Sequence, residues 1–276
     1  MDHISTRAKW LLTGLALIIT MFHLIPFYIL LTTAFKRPGD FSSKWLFPEY
    51  FSLENFSLAW EQANLARAFV NTFVITASAA AILIVFGSLA AYALARRQTK
   101  LNKYVYMLFV AVMVIPPLTA LVPLYQLVVD AGLMNTRFVA VLNNAAAFMP
   151  LTIFLYAGFI RSTIPKELEE AAKMDGASTI GVFFRIVFPL LKPITATVLI
   201  LSSVYIWNDY QFAIFFLQDS SVQTLTVALS SFFGQNTSQL GLVGAASLLA
   251  SLPMIILFLF LQRFFIEGLA AGSVKG

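Results

Sequence analysis

The chain has no cysteine, only two histidines, and charged residues at just 11% of its 276 positions. Without cysteine there is no disulfide framework, no Cys-ligated metal site and no thiol nucleophile. His3 and His23 lie twenty residues apart and do not make a metal site. Soluble domains carry about a quarter charged residues, so this chain has too little polar surface for a water-exposed exterior. That scarcity disfavours a soluble enzyme, a disordered tail and a nucleic-acid module alike. What is present instead is 59% hydrophobic residues and a mean hydropathy of +0.83. The net charge of +5 would suggest nucleic acid in a soluble chain; in a membrane chain, basic residues mark the cytoplasmic side. The composition describes an all-α, polytopic membrane protein with the lipid bilayer as its solvent.

A helix that crosses the hydrocarbon core needs roughly 20 mostly apolar residues. Six stretches qualify, at about 10–35, 69–95, 104–127, 137–160, 193–217 and 241–263. They are too long for an outer-membrane barrel, whose strands run to about 10 residues of alternating polarity. The first follows Arg7 and Lys9, exceeds a signal-peptide core and has no small-residue cleavage site after it, so it reads as a retained helix. With the N-terminus in the cytoplasm, thirteen of the eighteen Lys and Arg residues fall inside. The short loop from Arg96 to Lys103, which carries four bases, is the most diagnostic segment. Both termini are then cytoplasmic. The chain is read as one transmembrane domain over 1–276, with external loops at 36–68 and 218–240, an internal loop at 161–192 and a tail at 264–276.

The first external loop holds Trp45, Phe47, Tyr50, Phe51, Phe56 and Trp60. These are either interfacial anchors at headgroup level or a docking surface for an external partner. The internal loop is more specific. Pro165 suits a first helical position, with Glu167, Glu169 and Glu170 behind it where the helix dipole favours acids. At 100° per residue Ile164, Leu168, Ala171 and Ala172 share one face, with Glu170 nearly opposite Leu168. Asp175-Gly176 stops this helix, and Ser178 caps a second one that runs to Phe188, where Pro189 and Pro193 end it. The second helix is apolar on most sides and is expected to be buried. Such a loop is either a solvated connector or a compact plug for a cleft in a cytosolic partner.

Glu170-Ala171-Ala172, three residues, Gly176, nine residues, Ile186, two residues and Pro189 resemble the EAA motif of ABC importer permeases. Asp175 to Ser178 and Phe184 match that family's usual fill-in residues, and Phe188 stands where Leu is usual. Phe69-Val70-Asn71-Thr72, Trp207-Asn208-Asp209-Tyr210 and Thr224-Leu225-Thr226-Val227 resemble segments of the maltose-permease-like, carbohydrate-uptake branch. The Gly-rich tail from Gly268 to Gly276 resembles the tail of that branch, with Ser273 for the usual Ala.

The resemblance implies a six-span permease subunit paired with a second, usually different, permease subunit. Two ATP-binding subunits lie below and an extracytoplasmic solute-binding protein delivers a sugar from above. It makes the internal loop a coupling helix, with Glu170, Ala171, Ala172, Asp175, Gly176, Ile186 and Pro189 as the ATPase-coupling residues. Gly272, Val274 and Lys275 belong to a tail that also reaches the ATPase. No Walker pattern is present, so no cofactor is expected on this chain; ATP and magnesium belong to the partner, and no catalytic residue is assigned.

For the substrate path the candidates are Asn143, Asn144, Tyr205, Asn208 and Asp209. Asp209 is the only acid well inside a span, about 24 Å from Pro193 along a helix. Either these groups line one cavity or they hydrogen-bond between helices at a kink. Tyr205, Trp207 and Tyr210 either stack on sugar rings or anchor the helix at the interface. Pro116-Pro117, Pro150 and Pro253 free backbone groups inside spans, around a path or in static packing. His23 and Gln126 read as helix-packing groups. Rival readings are an ion- or proton-coupled secondary transporter, a membrane anchor that only recruits a cytosolic partner, and the same import machinery carrying glycerol phosphate, a phosphonate or a peptide. The absence of an evident repeat and of further intramembrane charges weighs against the first.

Overall fold

A computed structural model of the chain describes residues 6–40, 42–97, 99–233 and 240–273; among them all regular structure is helical. In chain order the helices are α1 (Thr6–Ala34), α2 (Glu54–Gln62), α3 (Leu65–Arg96), α4 (Lys100–Val112), α5 (Pro117–Asp130) and α6 (Arg137–Thr163). They continue with α7 (Lys166–Met174), α8 (Thr179–Leu190), α9 (Lys192–Trp207), α10 (Ala213–Phe216), α11 (Leu225–Ser230) and α12 (Leu240–Ser273). Within α1, α3, α6 and α12 lie stretches long and apolar enough to cross a membrane. Two bent pairs, α4 with α5 and α8 with α9, raise the number to six if each is one span.

Three expected boundaries differ from the observed ones. The stretch 104–127 is not one straight helix: α4 ends at Val112, and α5 opens as a 3-10 turn bent 97° away. Pro116 and Pro117 cause the break, because proline removes a helical N–H and forces the residue before it to be extended; Pro116 has ψ 126°. The stretch 193–217 is helical only to Trp207, and after a break at 208–212 the short α10 follows. The second loop helix does not end at Phe188 but carries Pro189 inside α8, with a 75° bend at Leu191 before α9. A π-helical turn over Phe183–Val187 absorbs the proline, since the wider turn accommodates the missing N–H of Pro189. Both loops expected to be external also contain helix, α2 in the first and α11 in the second.

The chain divides into two compact units, one of Met1–Ala66 with Leu229–Ser251 and the other of Arg67–Ala228 with Leu252–Gly276. In the first, the Asn55 amide donates to the carbonyls of Ala34 (3.1 Å) and Lys36 (2.7 Å), satisfying the C-terminal end of α1. Gly241 packs so closely on Asn55 that a Cβ would fall 2.5 Å from its amide nitrogen. The loop aromatics fold back on α1: Tyr28 donates to the Trp45 carbonyl, and Phe35 packs on Phe51 and Phe56. Trp45, Phe47, Tyr50 and Phe51 stay exposed.

The second unit has two apolar cores. One gathers Tyr92, Ile153, Tyr156, Ile160, Val182, Phe183, Val187 and Leu191 around the internal loop. The other gathers Ile75, Leu83, Val128, Phe148, Ile206, Phe212 and Phe216. Helices α3 and α6 run through both, and Gly87 lets them touch: a Cβ there would lie 2.5 Å from Thr152 Cγ2. Caps set the helix starts. Thr99 accepts from the Asn102 amide at α4, Thr136 from Val139 at α6 and Ser178 from Gly181 at α8.

Candidate functional site

The internal loop is built as two short helices on the first of these cores. Pro165 stands just before α7, Glu167 and Glu169 occupy its first turn and Lys173 its last, all matched to the helix dipole. The helix ends in a Schellman turn: Gly176 N–H donates to Lys173 O, Ala177 N–H donates to Ala172 O, and Gly176 has φ +86°. Only glycine takes that conformation without strain.

The buried face of α7 is not the one that apolar periodicity indicates. Of the face shared by Ile164, Leu168, Ala171 and Ala172, Leu168 and Ala171 are exposed, whereas Ala172, expected to contact the ATPase, is buried against the core, and Glu169 is only 3% exposed. The cause is an ion pair. Arg96, at the end of α3, donates through Nε to Glu169 Oε1 at 2.7 Å, while the Tyr92 hydroxyl donates to Glu169 Oε2 at 2.8 Å. A second Arg96 nitrogen donates to the Ile164 carbonyl at 2.7 Å, just ahead of α7. This turns α7 so that Glu170, Ala171 and Met174 point away from the protein body, with Met174 88% exposed. In α8, Val182, Phe183 and Val187 are buried, whereas Ile180, Phe184 and Leu190 are exposed, so only half of that helix is covered. Ile186 is half-buried against the core and Pro189 is exposed. The Arg96–Glu169 pair is not visible in the sequence, where Arg96 reads only as a topology charge. Nothing in a single sequence ties it to one of three neighbouring acids.

The other candidate residues gather at the second core, where the three short motifs meet. The Asn71 amide donates to the carbonyls of Ser221 and Gln223, and Thr72 Oγ1 accepts from the Leu225 amide at 2.8 Å. Trp207 packs edge-on against Phe69 with ring centroids 5.5 Å apart. Thr226 donates to the Asp209 carbonyl at 2.7 Å. Asp209 Oδ1 accepts from the Phe212 amide at 3.2 Å and Oδ2 from the Asn144 amide at 3.1 Å; Asn144 also donates to the Ala140 carbonyl. Asn144 and Asp209 are therefore brought together, as a joint between α6 and the break after α9.

The remaining candidates are not part of that joint. Asn143 and Tyr205 line an apolar cavity of about 700 Å³ between α4, α5 and α6, with Tyr205 packed on Phe148. Asn208 is exposed and donates to the Val204 carbonyl, closing its own helix. Gly272 falls in the last turn of α12, and Val274 and Lys275 lie outside the described residues. Beyond the end of α9, the Asp219 carboxyl is held below the usual carboxylate range by the Ser221 amide and hydroxyl.

The described residues are all helical, with four apolar spans or six if each bent pair is one, and a helical loop presents Glu170 and Ala171 outward, in keeping with the ABC importer permease fold. Residues 83–270 match the family described as "Binding-protein-dependent transport system inner membrane component", and the chain belongs to that family. It is 62% identical over 271 residues to the melibiose/raffinose/stachyose import permease protein MelC of Bacillus subtilis, covering 98% of each chain. It is 34% identical to a probable starch degradation products transport system permease protein of Thermoanaerobacterium thermosulfurigenes, covering 97% of each. Among solved structures, a chain of a bacterial ABC transporter involved in alginate import aligns with a TM-score of 0.82 at 21% identity, over 96% of this chain and all of that one.

Proposed function

We propose that this chain is one of two membrane subunits of an ATP-driven, solute-binding-protein-dependent importer that moves a sugar across the cytoplasmic membrane by alternating access. The observation that carries the reading is the 62% identity, over 98% of both chains, to a permease described as importing melibiose, raffinose and stachyose. Oligosaccharides of that kind are the substrates to test first. The second permease subunit is a different chain, two ATP-binding subunits supply ATP and magnesium chemistry, and an extracytoplasmic binding protein delivers the sugar. Both termini face the cytoplasm, in keeping with the basic loop between α3 and α4.

In this reading α7 enters a cleft in an ATP-binding subunit. The outward set of Glu170, Ala171 and Met174 supports it, because a small residue between an acid and a flexible apolar side chain permits close approach. The ion pair to Arg96 carries movement of α7 into α3. Val274 and Lys275 extend the contact from the tail. On the transport side, Asn143 and Tyr205 on the cavity wall are the residues placed to meet sugar, while Asn144 and Asp209 hold the joint beside it.

The test is reconstitution of both permease subunits, the ATP-binding subunits and the binding protein in vesicles, followed by uptake of labelled raffinose. Uptake should need ATP and binding protein and vanish when the ATP-binding subunits are omitted; uptake without them would overturn the reading. Gly176→Asp addresses the loop itself. A non-glycine residue at φ +86° costs about 1–2 kcal/mol and loosens the end of α7. Uptake should fall while membrane insertion, followed by immunoblot of washed membranes, is unchanged.

A further inference from the structure

The loop between α3 and α4 borders an open cavity of about 730 Å³ whose charged lining is basic throughout: Arg96, Arg97, Lys100, Lys103, Arg161 and Lys166, with no acid among the lining residues. Arg96 is neutralised by Glu169, and Arg161 donates to the Leu94 carbonyl while its guanidinium lies over the Tyr106 ring at 4.5 Å. Among the described residues, Arg97, Lys100, Lys103 and Lys166 have no carboxylate within ion-pair distance. The segment that carries Arg97, Lys100 and Lys103 is held in shape. Asn102 donates to the carbonyls of Arg97 and Ala93, and Thr99 caps α4. Four like charges around one cavity repel one another unless an anion sits among them. The first turn of α4, at the positive end of the helix dipole, lies on the same wall.

A second observation identifies the anion. The outer face of α4 continues from the basic cavity as an apolar surface, with Leu101, Tyr104, Met107 and Leu108 between 52% and 69% exposed. Such a surface suits acyl chains, so basic groups fit for a phosphate and apolar groups fit for hydrocarbon adjoin on one helix. We propose that this cavity binds the headgroup of an anionic phospholipid, whose phosphodiester sits between Arg97, Lys100, Lys103 and Lys166 and whose chains lie along α4. Basic pockets between spanning helices are suited to such headgroups. Because Lys166 opens α7 and Arg97 follows Arg96, the lipid braces the loop at the place where the ion pair holds it. The proposal rests on the membrane location of the fold and not on the solute carried.

The test is native mass spectrometry of the delipidated, full-length chain in its assembly, titrated with phosphatidylglycerol, phosphatidylcholine or inorganic phosphate. Phosphatidylglycerol should bind in preference to phosphatidylcholine. Lys100→Gln with Lys103→Gln should weaken it roughly twenty-five-fold, the product of about fivefold for each basic residue beside an anionic lipid. Both lysines are exposed, and the double Lys→Arg variant, which keeps charge, should bind as the native chain does. Arg7→Gln with Lys9→Gln, which removes the same charge elsewhere, should change nothing. Equal binding of the two lipids, or equal losses from the two neutralised pairs, would refute the site. Displacement of phosphatidylglycerol by inorganic phosphate at equal concentration would reassign it to a free anion. Protection of Lys100 and Lys103 from acetylation in the lipid-free assembly would reassign it to an acidic surface of a partner subunit.

Discussion

Glu169→Ala is expected to stop sugar uptake while ATP hydrolysis by the assembly continues, because it cuts the tie between the loop helix and the span above it. Glu169 and Arg96 are 5% and 11% exposed at their side chains, and their pair is 2.7 Å long. Removing one partner of a buried ion pair leaves the other charge uncompensated, at a cost of about 3–5 kcal/mol. Arg96 also holds the Ile164 carbonyl, so the disturbance reaches the turn that joins α6 to α7. Arg96→Met should match Glu169→Ala, whereas the double variant Arg96→Met with Glu169→Leu should lose much less than the sum, since no charge is stranded. Tyr92→Phe deletes one hydrogen bond to a charged acceptor and should cost about 1.5–3 kcal/mol. The measurements are thermal unfolding of the purified assembly and the ratio of sugar transported to ATP hydrolysed. A normal ratio in Glu169→Ala would show that α7 is held by its apolar contacts alone.

This pair also marks where single-sequence reading ends. The stop of α7 at Asp175-Gly176 and the Ser178 cap were legible because each rests on local chemistry: a left-handed glycine and a hydroxyl reaching three residues ahead. The face that α7 buries was not, because periodicity ranks Leu168 and Ala171 above Glu169. A carboxylate goes inward only when a cation from another helix is waiting. The bends were half visible. Pro116-Pro117 pointed to a kink, but its 97° size depends on how α4 and α5 pack. Pro189 reads as a stop in the sequence because the π-turn that accommodates it has no signature there.

The three motifs around the second core show the same division. Phe69 to Thr72, Trp207 to Tyr210 and Thr224 to Val227 stood out by resemblance, and each was read by itself. Their meaning lies in contacts across more than 150 residues, such as Asn71 with Ser221 and Gln223 and Thr72 with Leu225. The sequence groups Asn144 with Asp209, either as cavity lining or as a hydrogen bond between helices, and the bond is what forms. The sequence does not show that both Asp209 oxygens are occupied by the protein's own donors, leaving Asn143 and Tyr205 on the cavity wall.

That occupancy separates a structural role for Asp209 from a substrate-binding one. Asp209→Ala strands the Phe212 amide and removes one acceptor from buried Asn144, an expected loss of about 2–4 kcal/mol. The break after α9 should loosen, and the permease should be found at lower levels in membranes and melt earlier. Asp209→Asn keeps an acceptor for Phe212, but turning the Asn144 amide to accept from the new side chain gives up its bond to the Ala140 carbonyl, so the change should cost about 1–2 kcal/mol, less than Asp209→Ala. Uptake per folded transporter should then be close to native, because the charge has no cationic partner among the described residues. If Asp209→Asn instead folds and melts normally but transports nothing, the carboxylate charge must meet the substrate during the cycle. The joint would then open in a state other than this one. Asn143→Ala and Tyr205→Phe provide the contrast, since neither supports the break, and any loss of uptake in them must come through the cavity they line.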